Sequence, residues 1–380
     1  MSSANNDEII SNASPHTIKK FDLIEKYVEA WSQILALNKS CKCLIFIDCM
    51  SNSGEYYDDD GNPVFGTPIR VAKILRKAAG QYYPKKFLLY FNDRDERKIA
   101  HLKGLLPGDT TNFKIITRTE DANDLLKRIG SRLDSSLGYH YLLVYDPYDA
   151  RIDWPAILPF LNNWGEVIIN HMVSDSIRAV KQAKTDAAIG KYEGTYLSHI
   201  EDLIPLGSDK KALEERIEQI IYMLHRRKQN DYYVAAFPFF NVNNAIVYNL
   251  IHCTGHIQGF KLYKKTAWQV FGGKSSTKNT HGRENQYVMD FSGTGVPATS
   301  TDEYCYYVKD IAEYLQKAFA GQTVSLDEIW AVLDEHPIFP SEGFRKEIKQ
   351  ILTTYYGASE ARGRNGQKST ITFLDRGCKS

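Results

Sequence analysis

Two runs of apolar residues that each end at an aspartate constrain the fold of this chain more than any other feature. The run Cys43–Ile47 leads into Asp48, and the run Tyr141–Tyr145 leads into Asp146. Because neither run alternates apolar with polar residues, each predicts a strand covered on both faces, as in the parallel sheet of an α/β protein. Ligands bind such sheets at the carboxyl ends of the strands. We therefore expect a functional site around the two aspartates.

Strand patterns alternate with helical periodicity between Cys43 and His171, which predicts a doubly wound parallel sheet. A long helix is predicted before it, over Thr17–Leu37. Two later apolar runs, Tyr232–Phe240 and Ala245–Thr254, are joined by an Asn-rich connection. They predict a β-hairpin that closes the sheet. The remaining strands are predicted at Lys86–Phe91, Phe113–Thr117 and Glu166–His171.

Composition divides the chain into four predicted parts. Residues 1–40 hold a tail and a helix, 41–270 the sheet domain, 271–301 a flexible loop or linker, and 302–380 a separate C-terminal domain. Within the sheet domain, residues 174–230 predict a helical insertion. The C-terminal domain follows the order helix, helix, turn, helix, basic loop and strand. This order predicts a helix followed by a winged helix-turn-helix.

Basic residues on the predicted recognition helix and wing are candidate contacts for nucleic-acid phosphates. The alternative is that they form an ordinary solvated surface. The net charge of the whole chain is only +1, so a nucleic-acid contact has to come from a local patch of this kind. The candidates are Arg345, Lys349, Arg362, Arg364 and Lys368.

The cysteines and the hydropathy pattern bear on the compartment and on metal binding. The six cysteines are scattered without a CxxC pair. With no secretory signal and no apolar run of membrane length, we expect reduced thiols in a cytoplasmic protein that does not enter a membrane. His252, Cys253 and His256 lack an evident fourth ligand, so we predict no metal site.

The loop after the first strand is where a nucleotide-like cofactor would sit in a doubly wound sheet. Such a loop uses glycines so that backbone amides can approach the ligand, but only one glycine is present here. The alternative is a loop that binds nothing. The cofactor candidates in this segment are Asp48, Ser51, Asn52, Ser53 and Gly54.

Polar residues after the second and third strands are further cofactor candidates. Asn92 and Asp93 end the second strand, where a carboxylate would accept hydrogen bonds from ribose hydroxyls. Asp121 and Asn123 follow the third strand and would hold an adenine edge. The alternative role of these aspartates is helix N-capping.

Asp146, Pro147 and Tyr148 follow the fourth strand and are the catalytic candidates. The carboxylate and the proline carbonyl can accept hydrogen bonds from an exocyclic amine, while the tyrosine ring can stack on a base. This would orient the nitrogen lone pair toward a methyl donor by positioning alone. The alternative is that Asp-Pro simply ends a strand and begins a loop.

These motifs resemble those of the three-Cys-motif partner (TcmP) proteins over nearly the whole chain. The family's first strand is similar to Phe46-Ile47-Asp48, and its Gly-Ser-Pro is similar to Gly66-Thr67-Pro68. Its Asp-Pro-aromatic is similar to Asp146-Pro147-Tyr148, and its Asn-His-Met matches Asn170-His171-Met172. The family's Phe-Ala-Gly-x-Gly loop is replaced here by Met50-Ser51-Asn52-Ser53-Gly54.

The resemblance implies a class I methyltransferase-like fold, S-adenosylmethionine as cofactor and a partner protein that carries three cysteines. We therefore expect an α/β protein with a Rossmann-like, seven-stranded methyltransferase-type sheet, a helical insertion and a C-terminal winged helix. The leading hypothesis is an S-adenosylmethionine-dependent methyltransferase that acts on an amino group of a nucleic-acid base. The alternative is a catalytically inactive scaffold or binding partner of a three-cysteine-motif protein.

The two hypotheses differ in the cleft that they require. An active enzyme should have an open cleft between Ser51–Gly54, Asp93 and Asp146. In an inactive protein, side chains such as Met50 or Tyr56 should fill this space.

Overall fold

The computed structural model divides into two compact units, Met1–Leu262 and Tyr263–Ser380. Several expectations fall outside the described residues: Tyr148, Arg364, the connection between the hairpin strands, and most of the segments 174–230 and 271–301. The described residues are 9–147, 151–162, 164–172, 185–196, 233–240, 246–271, 308–363 and 368–375.

Strands and helices alternate along the first unit as the sequence predicts. Its strands are β1 (Ser11–Asn12), β2 (Cys43–Asp48), β3 (Glu55–Tyr57), β4 (Pro63–Phe65), β5 (Lys86–Asn92), β6 (Phe113–Arg118), β7 (Tyr139–Tyr145), β8 (Gly165–His171), β9 (Tyr233–Phe240) and β10 (Ile246–Thr254). Its helices are α1 (Pro15–Leu37), α2 (Thr67–Gln81), α3 (Glu96–Leu105), α4 (Ala122–Gly130), α5 (Trp154–Ile157), α6 (Asp186–Tyr196) and α7 (Ile257–Val270). The boundary between the units falls within α7.

Seven strands form one mixed sheet in the order β6-β5-β2-β7-β8-β10-β9. β2 pairs in parallel with β5 and β7, and parallel pairing continues outward to β6 and β8. β10 is antiparallel to both of its neighbours. The predicted seven-stranded α/β sheet with its closing strand pair is thus confirmed. Because the chain moves outward from β2 in both directions, a crevice is expected outside the carboxyl ends of β2 and its neighbours.

The centre of the sheet and α1 supply much of the core of the first unit. β2 is buried at every position from Cys43 to Asp48, as expected for a strand without alternation. α1 buries Phe21, Ile24, Tyr27 and Trp31, which recur at three- and four-residue spacing on one helical face. α1 packs against α2.

The many Ser, Asn, Asp, Gly and Pro residues of Met50–Pro68 predict an irregular polar loop, but this segment contains a second, smaller sheet. β3 and β4 form an antiparallel hairpin, and β1, which lies in the predicted N-terminal tail, pairs in parallel with β3. The Asp58 carboxylate organises the hairpin turn by accepting hydrogen bonds from the amides of Asp60 and Asn62. The prediction of an irregular loop was wrong, because strands of two or three residues are too short to show periodicity.

The sequence predicts a helix over Trp154–Asn162, but the helix in the structure is shorter. α5 ends at Ile157, and a 3₁₀ turn follows over Leu158–Phe160. Pro159 has no amide hydrogen, so it cannot continue the α-helical hydrogen-bond ladder.

The second unit has the order helix, strand, helix, helix, strand, strand after α7. Ser325 and Glu328 form a capping box at the start of the helix Leu326–Glu335. The strands form an antiparallel sheet in which the last strand lies between the other two. The elements are α8 (Val308–Ala318), β11 (Thr323–Ser325), α9 (Leu326–Glu335), α10 (Arg345–Tyr355), β12 (Ser359–Ala361) and β13 (Thr370–Thr372).

β11 and β12 were not predicted, since three-residue strands leave no pattern to read. None of the described helices of either unit combines the length and the apolar character needed to cross a bilayer.

Candidate functional site

A cavity of about 670 Å³ lies at the carboxyl ends of the parallel strands in the first unit. Its wall includes Met50 after β2, Asp93 after β5, Asp121 after β6 and Pro147 after β7. This is the position at which doubly wound sheets bind ligands, and the volume is in the range of small-molecule sites. Strand ends that were predicted separately therefore meet around one cavity.

The loop after β2 is closed by hydrogen bonds of its own. The four successive backbone amides from Met50 to Ser53 each donate within the protein, over 2.8–3.1 Å. Their acceptors, in chain order, are Asp48 Oδ1, the carbonyl oxygen of Asn92, Asp93 Oδ2 and Asn52 Oδ1. A glycine-rich cofactor loop offers such amides to its ligand, whereas here they are engaged inside the fold.

Asn52 and Gly54 give this loop its tight course. Their φ angles are 56° and 74°, in the left-handed region that asparagine and glycine tolerate best. A Cβ at Gly54 would lie 2.5 Å from Leu102 Cδ1 and 3.1 Å from the Ile69 side chain. Gly54 is therefore required for packing against α2 and α3, and it does not line the cavity.

Asn92 joins the loops that follow β2 and β6. Its side-chain amide donates to the carbonyl oxygens of Cys49 at 3.0 Å and Glu120 at 3.1 Å. Its Oδ1 accepts from the Glu120 amide at 2.9 Å, and the residue is fully buried. These contacts give Asn92 a positioning role for two loops of the cavity wall.

Asp93 lies in the cavity wall and is only 6% exposed. Oδ2 accepts from the Asn52 amide and Oδ1 from the Asp95 amide, both at 3.0 Å. The N-cap of α3 is Asp95, so the capping role considered for Asp93 was wrong. Since each carboxylate oxygen has two lone pairs, Asp93 can hold the loop after β2 and also accept from a ligand hydroxyl.

Asp121 and Asn123 line the same cavity from the start of α4. Asp121 is the N-cap of α4, which confirms its capping role. The Arg94 guanidinium, paired with this carboxylate, lowers the pKa of Asp121. Asn123 Oδ1 accepts from the Tyr145 hydroxyl at 3.1 Å, which fixes the orientation of its side-chain amide.

Asp146 is held between two side chains at the end of β7. Lys20 Nζ lies 2.5 Å from Asp146 Oδ2, and Asn170 Nδ2 donates to Oδ1 at 2.6 Å. Asp146 does not line the cavity, whereas the adjoining Pro147 does. Lys20 was not predicted as a site residue. The signal was a lysine on the buried face of α1, four residues before Ile24.

The expected cleft is therefore present in part. Asp93 borders an open cavity, but Ser51–Gly54 and Asp146 do not. Met50, the residue considered as a filler, forms part of the cavity wall, and Tyr56 does not line it.

Asp48 is buried at the end of β2, close to these charges. Burial raises the pKa of its carboxyl to about 7, the Met50 amide opposes that shift, and the charge of Asp146 adds to it. The charge state of Asp48 therefore changes near neutral pH.

α6, within the predicted insertion, borders the cavity with two glycines. Gly190 and Gly194 line the cavity, and a Cβ at either position would meet no atom of the described residues within 4 Å. Thr195 fastens α6 to the segment after β7. Its hydroxyl oxygen accepts from the Ile152 amide, and its carbonyl oxygen accepts from the Trp154 indole, each at 3.0 Å. These residues were not predicted as site residues, although two glycines at helical spacing indicate them.

The basic residues predicted to contact nucleic acid lie in the second unit. Lys349 pairs with Glu360, and Lys368 pairs with Asp327, each at 2.8 Å. Acidic partners thus offset two of the expected phosphate-binding charges.

The two described arginines of this set differ. Arg345 donates from Nε to the Ser341 carbonyl oxygen at 2.8 Å, and its guanidinium lies 5.1 Å from the centre of the Trp330 ring. Arg362 is exposed. Of the described members of the predicted set, Arg362 is the best placed to reach a phosphate.

His252 belongs to a buried polar cluster that joins α1, β8 and β10. Its Nε2 lies 2.9 Å from Glu166 Oε2 and 3.2 Å from the Tyr27 hydroxyl, which also donates to Glu166. Among the residues that the structure describes, no group of three or more His, Cys, Asp or Glu side chains is arranged to hold a metal ion.

Comparisons with known proteins give only distant similarities. No family model and no curated protein matches the chain. A Legionella pneumophila protein of family DUF519 aligns over 62% of this chain and 84% of its own, with 10% identity and a TM-score of 0.36. A Corynebacterium glutamicum protein aligns over 60% of this chain and 79% of its own, with 10% identity and a TM-score of 0.29. At these scores neither similarity supports a functional conclusion.

Proposed function

We propose that the first unit is a class I methyltransferase-like domain that binds S-adenosylmethionine in the cavity. The seven-stranded sheet with one antiparallel strand and the cavity at the carboxyl ends of its parallel strands support this proposal. The observation that carries it is Asp93, a nearly buried carboxylate in the cavity wall after β5. A carboxylate at such a strand end accepts hydrogen bonds from ribose hydroxyls.

The residues of the cavity wall fit the nucleoside part of this cofactor. Asp93 would accept from the ribose, and the side-chain amide of Asn123 would bind the edge of the base. Met50 and Ile152 would contact the flat ring. The cofactor carries no phosphate, so its binding does not require the loop amides that are engaged within the protein. S-adenosylmethionine, when bound, supplies an electrophilic methyl group.

The acceptor that we propose is an amino group of a nucleic-acid base, next to Asp146-Pro147-Tyr148. Lys20 and Asn170 each occupy one oxygen of the Asp146 carboxylate. A second lone pair on each oxygen can still accept from a substrate amine. Asp146 would thus act as a positioning acceptor held by two neighbours, and Pro147 would connect it to the cavity wall.

The proposal also covers the fold of the second unit and a partner protein. The order helix, strand, helix, helix, strand, strand supports a winged helix in the second unit, with Arg362 as its candidate nucleic-acid contact. We also propose that the chain belongs with the TcmP proteins and acts beside a partner that carries three cysteines.

A scaffold without transferase activity is the second candidate. The observation that favours it is the self-contained loop after β2, whose four amides from Met50 to Ser53 are all engaged within the protein. A scaffold of this kind would keep the sheet and could still bind a partner protein. Its loop after β2 would offer no backbone hydrogen-bond donors to the amino-acid part of the cofactor.

Calorimetric titration with S-adenosylmethionine, followed by a transfer assay with labelled methyl groups, tests both candidates. Binding together with transfer to total nucleic acid, and loss of transfer in Asp146→Asn, is the result that we expect. Binding without transfer would favour the scaffold. No heat and no rise in melting temperature at millimolar ligand would overturn cofactor binding, since a ligand of the native state must stabilise it.

A further inference from the structure

Two segments of the first unit carry basic residues without any acidic residue. Gly61–Asn92 has six lysines and arginines and no aspartate or glutamate, although the whole chain has 46 acidic residues and a net charge of only +1. Ala30–Ile47 has two lysines, Lys39 and Lys42, and again no acidic residue. Positive charge is thus concentrated locally in a chain that is nearly neutral overall.

The fold brings these two segments together at the amino ends of β2 and β5. The Lys86 amide donates to the Lys42 carbonyl oxygen at 3.2 Å, and the two strands then run in parallel. Lys85 Nζ reaches the carbonyl oxygens of Asn38 and Cys41, at 2.6 and 2.5 Å, so it fixes the turn after α1. Lys77 lies four residues before the end of α2 at Gln81, upstream of this edge.

Several lysines at this edge are directed to solvent. Lys39, Lys42, Lys77 and Lys86 are exposed, and no ion pair with them is found among the described residues. Arg70 differs, because it pairs with acidic side chains of α1. The acidic residues nearest in sequence, Asp48 and Asp93, lie at the opposite, carboxyl ends of β2 and β5. Glu29 of α1 lines a surface cavity together with Lys77.

An aromatic side chain lies among these charges. Tyr83 is 74% exposed, between Lys77 and Lys86 in sequence. Burying an aromatic ring of this size against a partner is favourable. Proteins bind single-stranded nucleic acid with basic side chains along its phosphate backbone and an aromatic ring that stacks on a base.

We propose that this basic face, formed by Lys39, Lys42, Lys77, Tyr83 and Lys86, binds single-stranded nucleic acid. The lysines bind phosphates, and Tyr83 stacks on a base. The face lies at the amino ends of the strands whose carboxyl ends border the cavity, so the inference does not depend on cofactor binding. It also differs from the surface of the second unit that the sequence predicted, where two of the lysines are paired with acidic side chains.

Fluorescence anisotropy with labelled oligo-uridine and oligo-thymidine, over a salt series, tests this inference on the full-length protein. In the variant Lys42→Gln/Lys77→Gln/Lys86→Gln we expect at least about tenfold weaker binding at low salt. The plot of log association constant against log salt concentration should become shallower by roughly two. This is the expected loss for three phosphate contacts at about 0.7 each on a single strand. Tyr83→Ala should weaken binding roughly 5- to 150-fold, whereas Tyr83→Phe, which keeps the ring, should bind like the wild type.

Matched controls separate this face from general charge and from the second unit. Lys26→Gln/Lys103→Gln/Lys346→Gln removes the same charge from exposed positions elsewhere, and it should bind like the wild type.

Three outcomes would overturn the inference. The first is equal affinity of the basic-face variant and the charge control. The second is loss of binding only in Lys349→Gln/Arg362→Gln/Lys368→Gln. The third is binding to phosphatidylserine vesicles without binding to either oligonucleotide.

Discussion

Lys20 of α1 and Asp146 at the end of β7 form an ion pair, with Nζ 2.5 Å from Oδ2. The two side chains are 10% and 29% exposed, so the pair is largely desolvated. Such pairs differ from surface ion pairs, because removing one partner leaves the other charge without compensation. The N-terminal helix therefore helps to set the electrostatics of the strand end that carries the catalytic candidate.

Replacing Lys20 by methionine should lower the free energy of unfolding by about 2 kcal/mol, because the Asp146 charge then lies uncompensated near Asp48. Lys26→Met, on the exposed face of the same helix, should change it by less than about 0.5 kcal/mol. In the double variant Lys20→Met/Asp146→Asn, part of the loss should be recovered. Urea unfolding of the wild type, Lys20→Met, Asp146→Asn, the double variant and Lys26→Met measures these values. If the effects of the two single variants simply add in the double variant, the pair is not coupled.

Asp48 should make stability depend on pH between about 4 and 7. Its pKa in the folded protein is raised to about 7 from an ordinary value of 3.8. Above pH 4 the unfolded chain releases this proton while the folded protein keeps it, so the free energy of unfolding falls as the pH rises. The slope is on the order of 1.4 kcal/mol per pH unit, and it ends once the pH passes the folded pKa.

Asp48→Asn should remove this contribution, since its amide oxygen can still accept from Met50. The variant should therefore gain stability relative to the wild type as the pH is raised from 5 to about 8. Unfolding curves at several pH values give the difference between the two proteins. A difference that stays constant with pH would show that Asp48 has an ordinary pKa.

The sheet could be predicted from sequence because its signals are local. The uninterrupted apolar run Cys43–Ile47 with the Asp48 that follows it predicted β2 with the correct ends, and the two later apolar runs predicted β9 and β10 to within a residue or two. The small sheet β1-β3-β4 could not be predicted in this way. Its strands are stabilised by partners elsewhere in the chain and are too short to carry a periodic pattern.

The candidate site could be predicted only in part, for a similar reason. Strand ends are readable, so Asp93, Asp121 and Asp146 could be selected as site residues. Which atoms face a ligand depends on contacts between distant segments, such as Lys20 with Asp146. Asn92 illustrates the limit, since all its side-chain hydrogen bonds go to neighbouring loops.

Lys264 should be important for the stability of the second unit. It is fully buried, and its Nζ donates to the carbonyl oxygens of Leu333, Asp334 and His336 at 2.7–3.1 Å, where α9 ends. These carbonyls have no helical partners. Lys264→Met should therefore cost on the order of 3 kcal/mol, as expected for lost hydrogen bonds to a charged group. The half-buried neighbour provides the control: Lys265→Met should unfold at nearly the wild-type urea concentration, and equal shifts would contradict a capping role for Lys264.

Filling the cavity from α6 should abolish cofactor binding without harming the fold. Gly194→Leu introduces a side chain at a position that lines the cavity, where a Cβ meets no atom of the part of the chain that the structure describes within 4 Å. Replacing a helical glycine also favours the helix by up to about 1 kcal/mol, so the melting temperature should hold or rise. The shift caused by S-adenosylmethionine should disappear, because the added side chain occupies the ligand's volume.

Gly80→Leu is the matched control for this experiment. Gly80 is a helical glycine in α2 with open space around it, and it does not line the cavity. This variant should keep the full ligand-induced shift, since the free energy of binding adds to stability only where the site is intact. Calorimetric titration and thermal unfolding of both variants provide the comparison. If Gly194→Leu bound S-adenosylmethionine as tightly as Gly80→Leu, the ligand would have to bind outside this cavity.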